Sequence, residues 1–248
     1  MGYSKDSQIF NMSLGHRVQR YPGTGYSATR GPGTVTDMIK NLIFDLGGVL
    51  VSLDREKCLG NFSTLLGFDD FGDYLNAYAQ KGFFAKFENG DIDSAQFRDE
   101  VRARCTKEGI TDELIDSTLD TFLTQVAPYK VKMLLELKEK YNLFLLSNVN
   151  PIAWRKCCEL FLEAQGVDIE DVFEKLYLSF ELNASKPGTA IYEKVLEDSG
   201  VEPSETLFID DSAANIETGR KMGLNVLLYD VESNLEDEVR WALKELGE

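Results

Sequence analysis

Residues 40–50 read Lys40-Asn41-Leu42-Ile43-Phe44-Asp45-Leu46-Gly47-Gly48-Val49-Leu50. The apolar run ahead of Asp45 fits a strand buried on both faces, the kind that a parallel sheet contains. A carboxylate straight after such a strand is a costly place for a charge. The two glycines behind it let backbone approach a ligand closely. Two further apolar runs are laid out in the same way. Leu143-Phe144-Leu145-Leu146 delivers Ser147-Asn148, and Leu207-Phe208-Ile209 delivers Asp210-Asp211-Ser212. The loop dipeptide Lys186-Pro187 stands between them. A nucleophilic acid, a hydroxyl, a fixed cation and an acid pair able to hold a metal make a set suited to attack on a phosphate ester.

Around these stations apolar strands alternate with amphipathic helices. Strands are expected at residues 40–45, 143–146, 206–209 and 225–228, with a short apolar segment at 176–180. Helices are expected near residues 130–141, 190–199, 213–222 and 236–246, and Trp154, Cys158 and Phe161 fall at helical spacing. Gly200 and Gly223 follow their helices as C-terminal capping residues do. This alternation implies an α/β fold with a Rossmann-like, doubly wound parallel sheet as its core. Ligands of such sheets collect at the carboxyl ends of the strands, so topology alone brings the motifs to one rim.

Residues 54–128 are different: they hold almost no strand-like run and several helical ones. Phe83, Phe84 and Phe87 share helical spacing, as do Phe97, Val101 and Cys105. A helical cap inserted into the core is expected there, with the aromatic stripe serving as its interior. The core then comprises residues 38–53 and 129–248. Residues 1–37 are rich in Gly, Pro, Ser and Thr, mildly basic, and lack the apolar centre of a signal peptide. They are expected to form a disordered leader or tag-like extension, with the folded unit starting near Ile39.

The 248-residue chain carries a formal charge of −16, which argues against a nucleic-acid or anionic-membrane surface. An acidic protein that binds phosphate must supply local cations, which raises the importance of Lys186 and of a divalent metal. Cys58, Cys105, Cys157 and Cys158 show no C-x-x-C pair and fit reduced thiols in a cytoplasmic protein. The single histidine, His16, lies in the leader, so histidine chemistry is not expected.

Taken together, the Phe44-Asp45-Leu46-Gly47-Gly48-Val49 start, Ser147-Asn148, Lys186-Pro187 and the Phe208-Ile209-Asp210-Asp211-Ser212 finish with Asn215 resemble the haloacid dehalogenase superfamily. They are most similar to its small sugar-phosphate phosphatases with a helical cap, as is Glu88-Asn89-Gly90-Asp91-Ile92 followed by Phe97. The resemblance implies Asp45 as nucleophile through an aspartyl-phosphate. It implies magnesium held by Asp45, the Gly47 carbonyl and Asp211, with Asp210 either ligating or steering. Asn215 would support the acid pair. Ser147 and the Asn148 N–H would hold the phosphoryl group, and Lys186 would neutralise it. The expected partner is a small phosphorylated substrate, a sugar phosphate first.

One departure matters. Many relatives carry a second aspartate two residues after the nucleophile as acid and base, and this chain has Gly47. Asp54 is a speculative substitute that closure of the cap could deliver, but a turn or helix N-cap before Arg55 explains it better. Two alternatives remain open: a non-catalytic protein that binds phosphate compounds or another protein, and a 2-haloacid dehalogenase, which uses the aspartate without a metal.

Overall fold

A computed structural model of the chain describes residues 27–29, 38–75 and 80–247. In chain order its strands are β1 (Ser27–Thr29), β2 (Asn41–Phe44), β3 (Val51–Leu53), β4 (Leu123–Val126), β5 (Asn142–Ser147), β6 (Lys175–Leu178), β7 (Thr206–Asp210) and β8 (Asn225–Leu228). The main sheet runs β1-β8-β7-β2-β5-β6, parallel except for β1. From β2 the chain winds outward through β5 and β6 on one side, then returns to β7 and β8 on the other. The direction of winding therefore reverses around β2, and a crevice opens above its carboxyl end.

The doubly apolar strands have the expected physical cause. Leu42 and Phe44 enter one buried cluster and Ile43 the other. Leu143 and Leu145 face opposite to Phe144 and Leu146, and Leu207 and Ile209 opposite to Phe208, following the two-residue period of a strand. Helices α5 (Pro128–Lys138), α6 (Pro151–Gln165), α7 (Ile169–Val172) and α11 (Leu235–Leu246) cover the first face. Helices α9 (Thr189–Ser199) and α10 (Ala213–Lys221) cover the second, while the short α8 (Ser179–Leu182) follows β6.

Between β3 and β4 lie α1 (Arg55–Asn61), α2 (Gly82–Glu88), α3 (Ser94–Arg102) and α4 (Asp112–Asp120). They enclose a separate cluster of buried residues in which Phe62 stacks on Phe71 and Phe87 on Phe97. Phe83, Phe84 and Val101 are buried there too, with Cys105 packed at the margin. Asp93 and Gln96 close the N-terminus of α3 as a reciprocal capping box.

Several elements depart from the sequence reading. Ser27–Thr29, within the segment expected to be unstructured, forms β1 antiparallel to β8; the rest of residues 1–37 lies outside the described residues. A sheet edge offers unpaired backbone groups to any extended segment, so no apolar period is needed to fill it. Leu123–Val126 is a strand in a region that reads as helical, pairing antiparallel with β3 into a two-stranded ribbon through which the chain enters and leaves the helical unit. Only its end residues are buried, and its pairing is long-range, so it leaves no periodic signal. The apolar segment 176–180 splits: β6 ends at Leu178 and the chain turns helical at Ser179. Helix α5 starts at Pro128, where proline suits the first helical position.

Candidate active site

Parallel pairing in register places Phe44 level with Leu145 on one side and Ile209 on the other. The next residues of the three central strands are therefore neighbours, and the Asp45 N–H bonds Ile209 O at 2.9 Å. Lys186, from the loop before α9, reaches under this rim. Its Nζ donates to Asp45 Oδ1 at 2.7 Å, Asp210 Oδ2 at 2.7 Å and Leu146 O at 2.8 Å. All three ammonium protons are thus used, and the side chain is 1% exposed. The Lys186–Pro187 peptide is cis.

Asp210 is fully enclosed. Oδ1 accepts from the Ser212 N–H at 2.8 Å and from Asn215 Nδ2 at 3.0 Å, while Oδ2 accepts from Lys186 and, at 3.1 Å, from Asn215. Asn215, on the first turn of α10, therefore supports Asp210. Asp211 is more open and lies against Gly48, where a Cβ would collide with its carboxylate. Gly48 also holds φ +83, a conformation suited to glycine. Oxygens of Asp45, Asp210 and Asp211 all lie within 4.8 Å of one another.

Burial acts first on Asp45, Asp211 and Lys186, and the excess of three carboxylates over one ammonium acts second. Burial pushes the Asp45 carboxyl well above its ordinary range; Lys186 opposes this, while Asp210 and Asp211 add to it. Burial and then Asp210 raise Asp211 to about 6, against the pull of Lys186. For Lys186, burial acts to lower the pKa, but Asp210 and Asp45 outweigh it and hold the ammonium above its usual value. An acid-rich oxygen cluster of this kind suits a hard divalent cation such as magnesium, which takes oxygen ligands and relieves the repulsion.

Above the cluster is a cavity of about 290 Å³, lined by Asp45, Gly47, Ser147, Asn148, Lys186 and Asp211 from the sheet side and by Phe84, Glu88 and Leu119 from the helical unit. All the sequence-predicted site residues except Asp210 line it, and Asp210 lies directly beneath as the partner of Lys186. Asn148 has a contact that the sequence did not reveal. Its side chain bonds the Lys186 main chain, whereas the reading concerned only its N–H. Asp54 caps α1 by accepting from the Lys57 N–H at 2.9 Å, the structural one of its two readings. Gly47 leaves space: a Cβ there would meet only Leu53 methyls at 3.6 and 3.7 Å. Glu88 was not singled out as a site residue. Its only sequence signal was membership of the Glu88-Asn89-Gly90 segment, which says nothing about where the carboxyl goes.

Comparison with known proteins gives concordant results. The haloacid dehalogenase-like hydrolase family model matches residues 39–223. The D-ribitol-5-phosphate phosphatase of Bacteroides thetaiotaomicron is 37% identical over 186 residues, spanning 75% of this chain and 89% of that protein. A wild-type haloacid dehalogenase family enzyme from the same organism, solved with magnesium and inorganic phosphate, superposes with a TM-score of 0.74 at 39% identity, covering 79% of this chain and 96% of that one. A predicted HAD-like family hydrolase from Porphyromonas gingivalis superposes with a TM-score of 0.77 at 34% identity, covering 84% and 98%.

Proposed function

The chain belongs to the haloacid dehalogenase-like hydrolases, and from that premise we propose that it is a magnesium-dependent phosphatase of small sugar or polyol phosphates. The observation that carries the reading is the Lys186 ammonium joined to both Asp45 and Asp210, beside Asp211, at the carboxyl rim of three adjacent strands. A phosphate dianion can approach Asp45 only where cations offset the carboxylates. Unit like charges about 4 Å apart repel by roughly 4 kcal/mol at an effective dielectric near 20.

In this reading Asp45, Asp211 and the Gly47 carbonyl hold magnesium, which when bound supplies positive charge against the phosphoryl oxygens. The saturated hydrogen bonding of Asp210 favours a steering role: it holds Lys186 in place rather than offering an oxygen to the metal. Ser147 and the Asn148 N–H receive the phosphoryl oxygens. The Asp45 carboxylate attacks phosphorus, a carboxyl O–P bond forms and the ester P–O bond breaks, releasing the alcohol. Water then cleaves the aspartyl-phosphate, returning the carboxylate and inorganic phosphate. With Gly47 in place of an acid, the leaving oxygen takes its proton from water or from the substrate.

The size of the cavity and its cover of helices favour a small metabolite over a polymer. The helical unit acts as a lid that excludes water and selects the substrate. Among the described residues no helix is long and apolar enough to cross a membrane. The test is a panel of phosphorylated metabolites with magnesium, run beside Asp45→Asn. Phosphate release from some members and a loss of at least about 10³-fold in the variant are expected. Ordinary turnover by Asp45→Asn would refute the covalent route.

A further inference from the structure

Glu88 ends α2 in the helical unit, yet it lines the same cavity as Asp45, Gly47, Ser147 and Lys186. No hydrogen bond or ion pair to its carboxyl is seen among the described residues, whereas the segment that carries it is fastened to the core. Ser179 Oγ donates to Glu88 O at 2.5 Å, Asn183 Nδ2 to Asn89 O at 3.2 Å, and Ser185 Oγ to Asn89 Oδ1 at 3.0 Å. Gly90, at φ +76, sits so close to the Phe180 carbonyl that a Cβ would collide with it. All these contacts run to residues 179–185, the stretch that leads directly into Lys186. Glu88 is therefore held in a set position relative to the phosphate-binding rim.

The Glu88 carboxyl is half-buried and opens onto the cavity, so a substrate group that enters there can serve as its hydrogen-bonding counterpart. Burial and then the neighbouring Asp45 charge raise it to about 8, which accords with the want of a protein partner. In the phosphatase reading Lys186, Ser147 and the Asn148 N–H already serve the phosphoryl oxygens, so the counterpart is a hydroxyl on the rest of the substrate.

We propose that Glu88 is the specificity-determining residue of this site, accepting a hydrogen bond from a substrate hydroxyl near the phosphate ester and so favouring polyol and sugar phosphates over hydroxyl-free alkyl phosphates. The inference rests on the phosphatase reading and specifies its substrate class. A site built to hydrogen-bond a substrate hydroxyl discriminates strongly against analogues that lack it, because the protein group is then left unpaired.

The experiment measures kcat/KM with magnesium for an alditol phosphate, the alkyl phosphate of equal chain length, and an aryl phosphate, in the wild type, Glu88→Gln and Glu88→Leu. The wild type is expected to prefer the alditol phosphate over the alkyl phosphate by at least about 30-fold. Glu88→Leu should lower that ratio by about tenfold or more. Glu88→Gln, whose amide oxygen still accepts, should keep most of it. If leucine prevents folding, Glu88→Ala is measured in the same way. A wild type that hydrolyses the aryl phosphate without preferring the alditol phosphate, or a Glu88→Leu ratio equal to that of the wild type, overturns the inference alone. A wild type inactive on all three substrates overturns the phosphatase reading, and this inference with it.

Discussion

The Asn148 side chain grips the main chain of Lys186 at both polar groups: Nδ2 donates to the Lys186 carbonyl at 2.8 Å, and Oδ1 accepts from the Lys186 N–H at 2.8 Å. A flexible side chain acquires a defined position when its backbone is held and its ammonium has three acceptors. Asn148→Ala is therefore expected to lower kcat by about 10–100-fold. Asn148→Asp, which sets a carboxylate oxygen against the Lys186 carbonyl and adds negative charge beside the phosphoryl site, should lose at least as much. Steady-state kinetics on the best substrate of the panel would check this, and an alanine variant with normal kcat would show that the grip is dispensable.

Gly47 offers a second test. Since a Cβ there makes only ordinary contact with Leu53, Gly47→Asp should fold and place a carboxyl beside the ester oxygen. General acid catalysis is typically worth about 10²–10⁴-fold. A gain of about tenfold or more in kcat is expected for an alkyl phosphate, with little gain for an aryl phosphate whose leaving group needs no proton. Equal changes for both substrates would count against a missing acid.

Gly48 is predicted to be intolerant for two reasons, its φ of +83 and its contact with Asp211. Gly48→Ala should cost about 1–3 kcal/mol of stability from backbone strain. It should also weaken magnesium activation by displacing the Asp211 carboxylate. Titrating activity against magnesium, alongside thermal melting, separates the two effects; an unchanged magnesium requirement would argue against Asp211 as a ligand.

The carboxyl pKa values predict how stability depends on pH without metal. Asp211 is raised to about 6 and Glu88 to about 8, with Asp45 also raised, so the folded protein holds more protons than the unfolded chain from about pH 4 to pH 8. Stability falls with pH wherever the native state binds the extra protons. The metal-free melting temperature should therefore drop between pH 5 and pH 8. Magnesium, which favours the ionised carboxylates, should raise it more at pH 8 than at pH 5. Scanning calorimetry with and without magnesium would decide, and a metal-free melting temperature that rises across this window would contradict the assignment.

How far the sequence reaches can be seen at particular residues. The runs before Asp45, Ser147 and Asp210 carry their own evidence of burial on both faces. Once the sheet is parallel, their carboxyl ends must lie on one edge. Lys186 was legible only through its order among the motifs. Its bond to Asp45 spans 141 residues of sequence, and no local pattern encodes that distance. The ribbon strand Leu123–Val126 was missed because two of its four residues face outward and its partner, Val51–Leu53, lies far earlier in the chain, just after Asp45.

By itself, then, the amino-acid order determined the layered α/β architecture and the strand-end residues, because periodicity and the fixed handedness of crossovers are local rules with a global result. Tertiary structure alone decided which partner each polar group received. It locked Asp210 beneath Lys186, turned the Asn148 amide onto the Lys186 backbone, and brought Glu88 from a separate helical unit to the cavity above Asp45. Those pairings depend on side-chain distances across elements remote in the chain, and hydrogen bonding and ionic contact act only at such short range.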